Sequence, residues 1–182
     1  MDTDLVVRAQ NGDRAAYARL AEQFAERHFA VARRILRDVD LAEDATQQAL
    51  VAIWQDLPKL RDPARFDGWS YRVLVHACYA EGRRHRRRVP TNPLLPVDVA
   101  LETDPLNSVL DRDQLDRGFR QLSLDHRAVV VLHHYLDLPI DQVAEILGIP
   151  AGTAHSRLNR AMRGLRAALD VDAPSPIQEV AR

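Results

Sequence analysis

The stretch Pro139 to Leu158 reads PIDQVAEILGIPAGTAHSRL. Its apolar residues recur at helical spacing up to Leu147, which predicts a helix with one buried face. Gly148 follows where helices commonly end in a left-handed residue, and Pro150 suits the start of a new helix because it lacks an N–H. The pattern predicts two short helices joined by a tight turn.

The second helix is predicted to run from Ala151 to about Leu169. Its apolar line comprises Ala154, Leu158, Ala161, Leu165 and Leu169. Its other side carries Thr153, His155, Ser156, Arg157, Asn159, Arg160 and Arg163. This is the layout of a helix-turn-helix, in which the second helix presents arginine, asparagine and hydroxyl side chains to bases and phosphates. The alternative is an ordinary helical hairpin with a solvated face, but the absence of Asp and Glu from this helix favours DNA.

The composition predicts an all-α protein. The chain has 182 residues, of which 46% are hydrophobic, and it shows no sustained alternation of the kind that strands require. The single cysteine, Cys78, excludes an internal disulfide and a multi-cysteine zinc site. No signal peptide and no apolar run of membrane length is present, so we expect a cytoplasmic protein without membrane insertion. We also expect neither a metal nor a cofactor.

Charge and proline divide the chain. The net charge is -1, yet cations cluster at residues 83–88 and acids dominate residues 91–118. Residues 89–105 contain four prolines, which do not sustain a helix. We therefore expect two small helical domains, residues 1–88 and 106–170, joined by an extended acidic Pro-rich linker at 89–105 and followed by a flexible tail at 171–182.

A helix from Leu41 to Leu57 is predicted to carry two faces. Asp40 and Glu43 have the spacing of a capping box, with Asp40 as N-cap. One face is apolar, with Leu41, Ala45, Ala49, Ile53 and Leu57. A second stripe is rich in glutamine, with Asp44, Gln47, Gln48, Val51 and Gln55. This stripe fits a docking surface for a partner helix and equally an ordinary polar face.

The next helix is predicted from Phe66 to about Arg87, after a loop that contains Arg61 and Arg65. One side of this helix carries Trp69, Arg72, His76 and Arg83. An aromatic side chain beside cations can stack an unpaired base and hold its phosphate. The alternative is a core tryptophan followed by a solvated, cationic helix end.

Three motifs resemble one family. Residues 40–54, DLAEDATQQALVAIW, and residues 66–73, FDGWSYRV, are similar to region 2 of extracytoplasmic-function sigma factors. Leu122 to Leu169 is similar to region 4 of that family, with GIPAGTAHSRL at residues 148–158. The resemblance implies a bacterial promoter-specificity subunit without catalysis of its own, whose partners are core RNA polymerase and promoter DNA. Anti-sigma partners are common in the family, but no residue here identifies one.

The resemblance also implies roles for the three sets of residues. The Asp44 to Gln55 stripe would face polymerase, and the polar side of the last helix would read duplex DNA at the minus-thirty-five element. Melted DNA at the minus-ten element would face Arg61, Arg65, Trp69, Arg72, His76 and Arg83. Gln48, His76, Ala154 and His155 depart from the residues usual in the family, so the promoter sequence does not transfer from relatives.

Two other functions compete with this interpretation. A stand-alone helix-turn-helix regulator would have a similar second half, but residues 1–88 lack the βαβ pattern of a receiver domain. An enzyme would have to use His133, His134 or Cys78, which have neither metal-ligand spacing nor a nucleophile–base arrangement. We set the enzyme aside.

Overall fold

The computed structural model describes residues 2–88 and 109–171, with side chains described over 2–88 and 115–168. Every regular element in these ranges is helical, which confirms the all-α prediction. The helices are α1 (Thr3–Gln10), α2 (Arg14–Leu36), α3 (Val39–Asp56), α4 (Phe66–Arg88), α5 (Val109–Gln121), α6 (Leu124–Val130), α7 (Ile140–Leu147) and α8 (Ala151–Val171). The proposed linker at 89–105 lies outside the described residues, as does the proposed tail at 171–182 except for Val171, which ends α8.

Local signals set the ends of the first helices. The Asp13 carboxylate accepts from the backbone N–H of Ala16 at 2.9 Å and caps α2. Arg37 ends α2 in the left-handed region, with φ 62°. The prediction that Asp40 is the N-cap of a capping box is wrong. Asp38 is the N-cap of α3, and its carboxylate accepts from the N–H of Leu41. Asp40 lies inside the first turn, where its charge still suits the helix dipole.

A first core holds α1 to α4 together. Phe24 of α2, Ile53 of α3 and Phe66 of α4 are almost completely buried in it. The buried face of α3 is rotated slightly from the prediction, since Ala42 and Thr46 are buried whereas Leu41 is only half-buried. The short 3-10 turns at Leu57–Lys59 and Pro63–Arg65 connect α3 to α4.

The second half contains α5 to α8. Ser123 caps α6 by accepting from the N–H of His126. Regular α-helix does not continue to Leu136, because residues Val131–Tyr135 form a π-helical turn. The Nδ1 atom of His133 lies 2.8 Å from the carbonyl oxygen of Leu138 and ties this turn to the approach of α7.

The helix-turn-helix forms as the sequence predicts. Gly148 ends α7 with φ 65°, and its N–H donates to the carbonyl of Glu145. On α8, Ala154 and Ala161 are fully buried and Leu165 nearly so, which sets its inner face. The opposite face of α8 is thereby turned outward.

Candidate nucleic-acid interface

The outer face of α8 brings together most of the predicted duplex-reading side chains. His155, Ser156, Asn159, Arg160 and Arg163 are exposed. Thr153 and Arg157 are half-buried. The Ser156 hydroxyl donates to the Thr153 carbonyl at 2.9 Å, so it is partly satisfied within the first turn. Arg166, which is exposed and was not among the predicted residues, also lies next to Arg163 on this face by helical spacing.

Arg157 differs from its neighbours on α8. Its guanidinium lies 3.1 Å from the carboxylate of Asp125 in the first turn of α6, and 26% of its side chain is exposed. Tyr79 of α4 is close to the same pair. Burial raises the pKa of the Tyr79 hydroxyl, and the negative charge of Asp125 raises it further. The guanidinium of Arg157 therefore already has a protein partner, the carboxylate of Asp125, in this conformation.

A cleft of about 960 Å³ lies between the start of α4 and α7. Its walls on the α4 side include Arg61, Arg65, Trp69 and Arg72, so four of the six predicted minus-ten residues meet there. The opposite wall comes from α7 and comprises Gln142, Glu145 and Ile146. No local pattern could have identified this wall, because α7 is more than 70 residues away along the chain.

The cleft residues differ in how freely they are presented. Arg61 and Arg65 are exposed. Trp69 is half-buried, with its ring centroid 6.0 Å from that of Phe66, so one part of its surface packs inward and another lines the cleft. The guanidinium of Arg72 donates to the backbone carbonyl of Glu145 across the cleft. His76 and Arg83 are exposed farther along α4 and do not line this cleft.

The glutamine-rich stripe of α3 is mostly presented to solvent. Asp44, Gln47 and Gln55 are exposed, and Val51 retains 56% of its surface, which is high for an apolar residue. Gln48 differs, because its side-chain amide donates to the carboxylate of Glu81, a residue only 2% exposed. A buried carboxylate needs such donors, so Gln48 has a structural task in α3 and α4 packing.

Neither a metal cluster nor a membrane span is found over the ranges that the structure describes. No group of three or more His, Cys, Asp or Glu residues in those ranges could hold an ion. No helix there is both long and apolar enough to cross a bilayer. Cys78 is buried, and burial raises the pKa of its thiol to about 12, which disfavours the reactive thiolate.

Two family models match the chain in succession. The Sigma-70 region 2 model matches residues 20–88, and the Sigma-70 region 4 model matches residues 112–165. Most of α2 and all of α3 and α4 lie in the first match, and α6 to α8 lie largely in the second.

Similar proteins cover nearly the whole chain. The ECF RNA polymerase sigma factor SigL of Mycobacterium tuberculosis is 34% identical over 166 residues, which are 87% of this chain and 94% of SigL. The structure of CnrH in complex with the cytosolic domain of CnrY shares the fold, with a TM-score of 0.69, 22% identity and coverage of 94% and 99% of the two chains. Bartonella quintana RpoE, solved with the anti-sigma factor NepR, also has a TM-score of 0.69 at 22% identity, over 86% of this chain and 98% of RpoE.

The order of the two matched regions and the identity to SigL agree with the helix-turn-helix and the α3 and α4 motifs. The chain belongs to the extracytoplasmic-function (ECF) family of RNA polymerase sigma factors, alternative sigma factors that direct transcription initiation and are not enzymes.

Proposed function

We propose that this sigma factor acts in the cytoplasm, binds core RNA polymerase through α3, and recognises promoters through two separate surfaces. The outer face of α8 reads the duplex minus-thirty-five element. The start of α4 and the loop before it hold the melted minus-ten element. The observation that carries this proposal is the outer face of α8, which is exposed, cationic and free of acidic residues between 151 and 169.

The chemistry of α8 suits the major groove. An arginine can donate two hydrogen bonds to the edge of guanine, and an asparagine can pair with adenine. Arg160, Arg163 and Asn159 are exposed on one face, and the buried residues opposite fix the rotation of the helix. Cations that bind phosphates also make the affinity depend strongly on salt.

The cleft beside α4 suits a single strand. Arg61 and Arg65 supply positive charge for the backbone, and Trp69 supplies an aromatic surface on which an unstacked base can rest. Stacking tolerates every base, so sequence preference must come from polar groups in the cleft.

The α3 stripe suits a partner protein. Val51 is an exposed apolar residue with uncharged glutamines beside it, and loss of charge at the centre of a patch is typical of protein interfaces. We assign the docking role to Gln47, Val51 and Gln55, with Asp44 at the edge. Gln48 supports this surface from below through Glu81. An anti-sigma protein is a further proposed partner, since the RpoE neighbour was solved with one.

Two variants test the proposal. The double variant Gln47→Arg with Val51→Arg should lose co-purification with core RNA polymerase, while Gln23→Arg, an exposed glutamine on α2, should retain it. The double variant Arg160→Ala with Arg163→Ala should assemble normally with polymerase but weaken promoter binding about 10-fold or more. If the stripe variant binds polymerase as wild type does, or if the protein alone binds promoter DNA tightly, the assignment fails.

A further inference from the structure

The connection between α3 and α4 is held from outside by the last residue of α1, Gln10. The side-chain amide of Gln10 donates to the carbonyl oxygen of Leu60 at 2.7 Å and to that of Leu57 at 3.2 Å. One amide group can make both bonds because its nitrogen carries two hydrogens. The Leu60 carbonyl belongs to the peptide bond that leads into Arg61. We call these two hydrogen bonds the α1 clamp.

The helix that carries the α1 clamp is itself firmly seated. Val6 of α1 is completely buried, in the same core as Leu57. Arg8 of α1 forms an ion pair at 2.7 Å with Asp13, the residue that caps α2. Gln10 therefore projects from a fixed helix, and groups on regular elements are positioned more precisely than groups on loops.

The clamped segment is a short 3-10 turn, Leu57–Lys59. The N–H of Leu60 donates back to the Leu57 carbonyl at 3.1 Å, and Pro58 has no N–H to contribute. Hydrogen bonds of a 3-10 turn have poorer geometry than those of an α-helix. Donors from outside the turn therefore contribute a substantial part of its order.

The α1 clamp ends where the cleft begins. Leu60 is half-buried and packs on the first core, whereas the next residue, Arg61, is exposed and lines the cleft with Arg65 and Trp69. A long side chain on a fixed backbone has fewer positions to lose when a ligand binds, so the cost of binding is smaller. A shift of the peptide between Leu60 and Arg61 would also move the guanidinium away from the tryptophan that shares its cleft.

We propose that Gln10 is a positioning residue for the melted minus-ten strand, and that it acts through the Leu60–Arg61 peptide on Arg61. The positioning role rests on the proposed function, because that function assigns the strand to this cleft. The α1 clamp is a property of the isolated chain. Helix α1 lies before residue 20, where the match to the Sigma-70 region 2 model begins.

Limited digestion of the full chain with trypsin, followed by mass spectrometry, tests the α1 clamp without polymerase or DNA. Gln10→Met keeps a side chain of similar length and removes both donors. Cleavage after Lys59 should become about 3- to 10-fold faster, the change expected for the net loss of one hydrogen bond that resists local opening. Cleavage after Arg27 of α2 should keep its rate. Gln23→Met, the same exchange at an exposed glutamine, should change neither rate.

Binding of forked DNA by the complex with core polymerase tests the positioning role. The probe joins a duplex to an unpaired minus-ten strand and has the sequence of a promoter that the wild-type protein transcribes. Gln10→Met should weaken binding about 3- to 10-fold, and Arg61→Ala at least as much. The double variant should bind no more weakly than Arg61→Ala alone, because Gln10 acts through Arg61. Affinity for a duplex minus-thirty-five probe should not change.

Each result decides the matter in one direction. Unchanged cleavage after Lys59 in Gln10→Met, or equally faster cleavage after Arg27, would overturn the α1 clamp. A loss of binding that is the same with and without Arg61, or the same on the duplex probe, would show that Gln10 only stabilises the fold.

The binding results also separate the positioning role from the proposed function. Full affinity of Gln10→Met beside a clear loss for Arg61→Ala would overturn the positioning role and leave the proposed function standing. Full affinity of Arg61→Ala would overturn both, because the strand would not then be held by the residue through which Gln10 acts.

Discussion

The guanidinium of Arg157 lies 3.1 Å from the carboxylate of Asp125. Arg157 lies on the helix proposed to read the minus-thirty-five element, yet it is partnered by α6 before any DNA arrives. Promoter DNA must therefore compete with an acidic side chain of the same protein for this arginine. The ion pair is partly exposed, so the competition is modest.

Asp125→Asn should release Arg157 for DNA. We expect the affinity of the polymerase complex for duplex minus-thirty-five DNA to rise roughly two- to fivefold, the range of a partly exposed ion pair. Fluorescence anisotropy at one fixed salt concentration measures this. Asp137→Asn, an exposed acid in the turn before α7, serves as the control. Lower affinity for the Asp125 variant would show that the ion pair positions Arg157 for DNA instead of withholding it.

Gln48→Glu should destabilise the first half. The new carboxylate would lose the amide donor and face the buried carboxylate of Glu81. Arg84 still donates to Glu81 in this variant. We expect the free energy of unfolding to fall by about 2 kcal/mol, the cost of exchanging one donor to a buried carboxylate for a second negative charge. Urea denaturation followed by circular dichroism measures it. Gln47→Glu, one residue away and exposed, should change stability very little. Equal stability of the two variants would show that Gln48 has no structural role.

We predict that the folded protein loses stability in mild acid because of the buried residue His28. Its ring stacks on Tyr71, with centroids 4.8 Å apart, and neither ring nitrogen has a hydrogen-bond partner among the described residues. Burial lowers the pKa of His28 to about 4, below the value near 6.5 of an unfolded chain. Between these values the unfolded state binds a proton that the folded state does not, so stability falls as the pH falls.

From pH 7.5 to pH 5 this histidine should cost about 2 kcal/mol of stability. His28→Phe keeps an aromatic ring in the stack and removes the titration, so its stability should fall less over the same interval. Urea denaturation at the two pH values measures the difference. His76→Gln, at an exposed histidine of α4, should behave as wild type does. A His28→Phe protein with the full acid loss would show that other groups cause it.

Gly148 and Gly152 form a matched pair in the helix-turn-helix. Neither position has an atom within 4 Å of an added Cβ, but Gly148 alone of the two has a positive φ, 65°. Gly148→Ala should therefore lower the free energy of unfolding by about 1 kcal/mol through backbone strain alone. Gly152→Ala should leave it unchanged or raise it by about 0.5 kcal/mol, because alanine favours a helix. Thermal or urea denaturation measures the stability of both variants. A larger loss of stability for Gly152→Ala than for Gly148→Ala would contradict the left-handed conformation assigned to Gly148.

Local signals in the sequence were sufficient for much of the fold. Gly148, Asp13 and Ser123 each lie at a helix end where their backbone or side-chain chemistry is needed, and the structure has each in that role. The start of α3 could not be decided in this way. Asp38 and Asp40 are both good N-caps by residue type, and the structure has Asp38 in that role.

Contacts between segments distant in the chain could not be predicted from the sequence. The stripe containing Gln48 appears uniform along α3, yet Gln48 alone of its glutamines donates to Glu81, 33 residues away. In the same way, Arg72 is a free cation by pattern but donates to the carbonyl of Glu145, 73 residues away. Periodicity identifies which residues share a face, but it does not identify what lies opposite that face.

Run-off transcription with purified core RNA polymerase and a genomic promoter library tests the central claim most directly. Adding the protein should produce discrete transcripts that core polymerase alone does not make, and Gln23→Arg should preserve them while Gln47→Arg with Val51→Arg abolishes them. Failure of the wild-type protein to associate with core polymerase, or an unchanged set of transcripts in its presence, would contradict the account.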